Sequence, residues 1–178
     1  MKKVMLFFLM IMVGKFAIAQ GVLPIDEETG KVMFSEVVPV DNNNQKDLFT
    51  KARNVGSSKK EDILKDDEAE GIFKTKGKFG VKYPSPMRGM MHDGTVSYTL
   101  SIMVKDGRYK YEITDFEHSS PKASGGKLES KLPECGKYTL TESGWSTIKK
   151  ETKKEVEGII ENLKAAMAKA PAADKDDW

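Results

Sequence analysis

The clearest pattern of apolar and polar positions lies between Gly94 and Phe116. Val96, Tyr98, Leu100, Ile102 and Val104 alternate with Ser97, Thr99, Ser101, Met103 and Lys105, the two-residue period of a strand with one buried face. Asp106-Gly107 follows, a pair that tolerates positive φ in a type I′ turn, and alternation resumes from Arg108 to Phe116. A two-residue loop fixes the register of the hairpin, with Lys105 facing Arg108. Val104 then lies opposite Tyr109, Ile102 opposite Tyr111 and Leu100 opposite Ile113, and all six fall on one face. Carried outward, the same register sets His118 opposite Thr95.

The flanking segments extend this pattern. Ile72 to Phe79 predicts a strand with Phe73, Thr75 and Phe79 on one side and Lys74, Lys76 and Lys78 on the other. Lys31 to Val40 predicts another, in which Glu36 interrupts the series Val32, Phe34, Val38, Val40 and suggests a bulge. Asp41 to Asn44 is a turn and an N-cap, after which Leu48, Ala52 and Val55 mark a helix over Gln45–Val55 that ends at Gly56 to Lys60. Ile63-Leu64 can start a short strand before the acidic turn Asp66 to Gly71. Gly144 to Lys169 carries Trp145, Ile148, Val156, Ile159, Ile160, Leu163 and Met167 at helical spacing, with an interior Gly158 for which the stripe gives no reason. Residues 22–169 therefore read as one α+β domain of about five antiparallel strands and two helices, in the order β-α-β-β-β-β-α. Gly80 to Asp93 and Glu117 to Lys137 read as two long connections, and residues 170–178 as a disordered tail.

The first 19 residues read as a cleavable signal peptide. Lys2 and Lys3 precede the apolar run Val4 to Val13, and Ala17-Ile18-Ala19 offers the small-x-small pattern of a cleavage site. Ten apolar residues make ~15 Å of helix, too short for a membrane span. No cysteine follows the site, so no lipid anchor is implied. The expectation is a periplasmic or secreted protein beginning at Gln20. The segment also changes the charge. Three of the 29 basic residues lie in it and none of the 27 acidic ones, so the formal +2 becomes −1, and net charge implies no nucleic-acid partner. Cys135 is the single cysteine, which excludes an internal disulfide, and its Pro/Gly-rich surroundings offer no base to activate it.

Two constellations could carry chemistry. Lys74, Lys76 and Lys78 together with Arg108 and Lys110 can make a basic sheet face that takes an anionic ligand such as a glycan, a lipid head group or an acidic peptide. The plainer reading is a solvated face whose lysines blunt an edge. At the open end of the hairpin, Met87, Met90, Met91, His92 and His118 offer thioether and imidazole ligands suited to Cu(I). Methionine as apolar filler and two ordinary exposed histidines account for the same residues. The acidic cluster lacks the alternating oxygen ligands of a calcium loop. There is no Gly-x-Ser-x-Gly, His-Glu-x-x-His, phosphate-cradling glycine loop or paired-cysteine motif, so no catalytic residue and no cofactor is assigned.

Leu23-Pro24-Ile25-Asp26, Thr29-Gly30-Lys31-Val32, Ser35-Glu36-Val37-Val38 and Val104 to Phe116 resemble a family of secreted domains of unknown function with a TATA-binding-protein-like fold, found mainly in Bacteroides-type bacteria. The resemblance runs from about Leu23 to about Leu163 and is most specific in Lys105-Asp106-Gly107-Arg108-Tyr109. It implies a curved antiparallel sheet with two helices on one face, and no activity. The first helix departs from the family pattern of Leu-Tyr followed by Trp, since Leu48-Phe49 is followed here by Asn54-Val55. The function classes that remain are a non-catalytic binding module of the envelope with an unidentified component or anionic ligand, a copper-handling protein, and an enzyme.

Overall fold

Asp106-Gly107 joins the two strands at the centre of the sheet, and every other strand is placed relative to them. The structure, a computed structural model, describes residues 23–56, 63–87 and 89–169. The signal-peptide and tail assignments lie outside the described residues. In chain order the elements are β1 (Phe34–Pro39), α1 (Gln45–Gly56), β2 (Ile63–Asp67), β3 (Ile72–Pro84), β4 (Met91–Lys105), β5 (Arg108–Ser119), β6 (Gly126–Lys127) and α2 (Glu142–Ala168). The sheet is antiparallel in the order β1-β5-β4-β3-β2, with the two-residue β6 beside the far half of β5. The α+β class and the two helices are as the sequence indicates, and β6 is an addition to it.

The hairpin register agrees with the sequence from Lys105↔Arg108 to Leu100↔Ile113. The turn differs: only Gly107 takes a positive φ, +71°, so it is not type I′. Tertiary bonds account for this. The Asp106 carboxylate accepts the Gln45 N–H at the start of α1 (2.7 Å), and Gly107 donates to Asn43 and accepts from Val40 (2.9 and 2.8 Å). The hairpin tip thus fastens the β1–α1 connection.

A second difference lies further along β5. Thr99 pairs with Thr114 but Ser97 with Glu117, so Asp115 and Phe116 together face Tyr98. Asp115 takes the left-handed conformation at φ 55°. One extra residue reverses the parity of the strand. Tyr109, Tyr111 and Ile113 are buried before it, Phe116 and His118 after it. His118 therefore stands opposite Val96, not Thr95, and is fully buried rather than exposed.

Glu36 makes no bulge, because β1 pairs with β5 in unbroken register from Phe34↔Ile113 to Pro39↔Arg108. Its carboxylate keeps its place on the core side because two donors meet it: the Tyr111 hydroxyl (3.0 Å) and the Lys164 ammonium of α2 (2.6 Å). Those donors hold the carboxyl below its ordinary range, the Lys164 bond foremost. Burial and the same carboxylate push the Tyr109 phenol up to about 12.

The first expected long connection is mostly strand. Phe79, Val81 and Tyr83 continue the alternation through Gly80, and β4 begins at Met91, which leaves only a short turn. In the second, β5 runs to Ser119 and β6 follows seven residues later.

Asn44 caps α1 by accepting the Asp47 N–H (2.8 Å), and Thr141 caps α2 through Gly144 (3.1 Å). Leu48, Phe49 and Ala52 of α1 and Trp145, Ile148, Val156, Leu163 and Met167 of α2 pack with Phe73, Ile102, Tyr111 and Phe116 in one core. Thr152 fills the gap in the α2 stripe, and its buried hydroxyl has no hydrogen-bond partner among the described residues. Gly158 meets nothing within 4 Å of where a Cβ would stand, so packing does not explain it. Both helices cover the same face of the sheet.

Candidate functional site

Strand alternation sends Phe73, Thr75, Ile102 and Tyr111 to the helices and their neighbours to the opposite face. On that open face β3 presents Lys74, Lys76, Lys78 and Lys82, beside Ser101, Thr99, Ser97 and Asp93 of β4. Beyond them stand Glu112, Thr114 and Glu117 of β5. At the hairpin end, Lys105 pairs with Arg108 and Met103 with Lys110, and Pro39 and Val37 complete those rows. All five ligand residues proposed from sequence therefore share one face, with Lys105 added. The register itself was the signal for Lys105, since it faces Arg108 across the turn.

Four of the cations on this side are matched, among them Lys65 of β2, which stands opposite Lys74 and pairs with Asp67 and Glu70. Lys110 pairs with Glu112 (2.6 Å), Lys31 with Asp115 (2.6 Å) and Lys82 with Asp93 (4.0 Å). The Lys31 bond holds the Asp115 carboxyl below its usual range, with Thr99 as a further donor. Among the described residues Lys74, Lys76, Lys78, Lys105 and Arg108 form no ion pair. Next to them Val37 and Met103 floor a depression of about 370 Å³ rimmed by Lys105, Arg108 and Lys110. Two features of this face were not legible in sequence. Val37 comes from a strand 66 positions earlier than Met103, and among the described residues β2 pairs only with Ile72 to Thr75, which leaves Lys76 to Pro84 as an edge.

The five proposed copper ligands are placed differently. Met87, Met90 and Met91 are exposed. His92 is half-buried against one edge of Tyr83, with ring centroids 5.8 Å apart, and His118 packs on Tyr83 at 5.3 Å and on Trp145 at 6.2 Å. His118 Nδ1 accepts the Gly125 N–H (3.1 Å), which leaves the proton of the neutral ring on Nε2. Nε2 has no hydrogen-bond partner among the described residues and points at Gly94, where a Cβ would lie only 2.3 Å away. Burial lowers the His118 pKa. Its imidazole is thus engaged inside the core, apart from the three exposed thioethers. Among the described residues no three His, Cys, Asp or Glu side chains are grouped to hold a metal ion. No helix among them is long and apolar enough to cross a membrane.

Known proteins are similar to this chain in sequence and in fold. Residues 34–119, β1 through β5, match the sequence profile described as a domain of unknown function (DUF4468) with TBP-like fold. A DUF4468 family protein from Bacteroides ovatus superposes with a TM-score of 0.64 at 16% identity, over 83% of this chain and 92% of that one. A TBP-like protein from Parabacteroides distasonis does so with a TM-score of 0.61 at 18% identity, over 83% and 97%. At such identities the structural likeness speaks to fold alone. No curated protein matches the chain. Residues 34–119 are thus similar in sequence to the DUF4468 domain of unknown function, and the chain shares the TBP-like fold of these structures.

Proposed function

We propose that this protein is exported and acts as a non-catalytic binding module whose open sheet face takes an extended polyanion, an acidic polysaccharide. One observation carries the reading: both helices lie on one face, and the other holds five cations that form no ion pair among the described residues. Alternate residues of a strand stand about 6.5–7 Å apart, so Lys74, Lys76 and Lys78 make a row about 13 Å long. A small anion touches at most two of them, whereas a polymer with repeated carboxylates can meet the row and continue toward Arg108. Each exposed contact contributes only about 0.2–1 kcal/mol, so affinity comes from their number and falls with salt. The remainder after residue 19 has a formal charge of −1, so attraction arises from this face and not from the whole molecule. Lys2, Lys3, the Val4–Val13 run and Ala17-Ile18-Ala19 support export.

The test is affinity for polygalacturonate with the protein starting at Gln20. Binding should weaken at least tenfold in Lys74→Glu/Lys76→Glu/Lys78→Glu with melting temperature unchanged, and should weaken with added salt. No binding to acidic polymers, or equal binding by the variant, contradicts the proposal. Intact mass from native cells should show Gln20 as the first residue, and retention of Met1 contradicts export.

The uncovered edge of β3 favours a second reading. Among the described residues Lys76 and Lys78 lie where β3 has no partner strand besides β4, and lysines there oppose pairing with another chain. In that reading their removal causes association between copies and leaves ligand binding untouched.

A further inference from the structure

We infer that the groove between α1 and α2 is a second binding site, for an amphiphile with an anionic head and a medium-length acyl tail, such as a fatty-acid carboxylate. The two helices lie on the same sheet face and leave a half-open space of about 1000 Å³ between them. Its floor is Tyr98 and Leu100 of β4, and its apolar walls are Val55 of α1 with Ile159 and Leu163 of α2.

The space has a structural cause. Gly77, beside Tyr98 on β3, has no side chain, and a Cβ there would stand 2.2 Å from the Tyr98 ring. The ring therefore lies over Gly77, tilted by 33° and 32° to the rings of Phe79 and Phe116 with centroids 5.7 and 6.2 Å away. Its hydroxyl has no hydrogen-bond partner among the described residues, and burial raises its pKa, so it remains a neutral donor.

Charge marks one mouth. Lys46 in the first turn of α1, Lys51 in its middle and Lys169 after the end of α2 line it, against Asp47 alone among acids. Lys51 is held by Asn43 Oδ1 (2.6 Å) and the Met167 carbonyl (3.3 Å), which leaves one of its three N–H groups for a head group. From Lys46 to Val55 the helix rises about 14 Å, a depth suited to an acyl chain and not to a compact polar metabolite. The volume is within the range of small-molecule sites.

Calorimetric titration with dodecanoate below its micelle concentration tests this in the full-length mature chain. One-to-one binding is expected, with affinity rising about two- to fourfold per methylene from octanoate upward. Dodecyltrimethylammonium should bind at least tenfold more weakly. Lys46→Glu, a surface change, should weaken dodecanoate about tenfold, and Ile159→Trp should fill the groove and abolish binding. Should Ile159→Trp fail to fold, Ala166→Phe narrows the same wall. Absence of saturable binding, equal affinity for the cationic amphiphile, or binding untouched by both Lys46→Glu and the wall variant overturns the inference.

Discussion

Single residues settle where this chain departs from a simple alternating sheet. Asp115 is the plainest case: its left-handed φ of 55° inserts one residue, after which Phe116 and His118 face the core. The signal was present in the sequence, since Ile113 and Phe116 are three apart where strict alternation requires two or four. Glu36 offered no such signal. Its partner Lys164 is 128 positions away, and no local pattern announces a partner at that distance. His118 has a consequence that can be measured. Its pKa lies below the ordinary 6.5 because burial disfavours the charged ring. Below pH 6.5 the unfolded chain takes up the proton first, so the stability this group contributes is full above 6.5 and is lost as pH falls toward its folded pKa. Urea unfolding at pH 7.5 and 5.5 should show lower stability at 5.5, by up to about 1.4 kcal/mol. His118→Asn, which keeps an acceptor for Gly125 but does not titrate, should shrink that difference. An unchanged difference would place the proton elsewhere.

Among the elements, those with a strong local period were legible and those defined by distant contacts were not. The β4–β5 pairing follows from alternation and a two-residue loop, and α1 from Leu48, Ala52 and Val55 after an asparagine cap. The extension of β3 past Phe79 to Pro84 was obscured by Gly80, Lys82 and Pro84, although Val81 and Tyr83 keep the period. The two-residue β6 has no period at all. For α2 the buried stripe separates two neighbours sharply. Val156 is fully buried and Glu157 exposed, so Val156→Asp should destabilise by about 3 kcal/mol or more through an unpaired buried charge, while Glu157→Ala should stay within about 0.5 kcal/mol. Equal midpoints in urea would mean that α2 docks by another face. The edge of β3 gives a prediction of its own. If Lys76 and Lys78 guard it, Lys76→Thr/Lys78→Thr should raise the apparent mass in sedimentation as concentration increases. A variant that remains monomeric leaves those lysines to ligand contact.

At the scale of the molecule, what matters is how the two faces divide. The helices bury one face of the sheet, and the other keeps a cationic row, a column of hydroxyl side chains on β4 and a small apolar depression at the hairpin end. Lys74, Lys76, Lys78, Arg108 and Lys110 were readable as one face because strand parity alone places them. Val37 and the groove between the helices were not, because each arises from the meeting of segments remote in sequence. A chain of small net charge with a local basic face differs physically from a uniformly basic one: its binding should be confined to that face and strongly dependent on salt. The most direct test is amide chemical-shift mapping during titration with an oligogalacturonate at low salt. The account predicts shifts concentrated at Lys74, Lys76, Lys78, Lys105 and Arg108 and their neighbours on β4, with α1 and α2 unmoved. Shifts concentrated on the helices, or none at all at saturating oligomer, would contradict it.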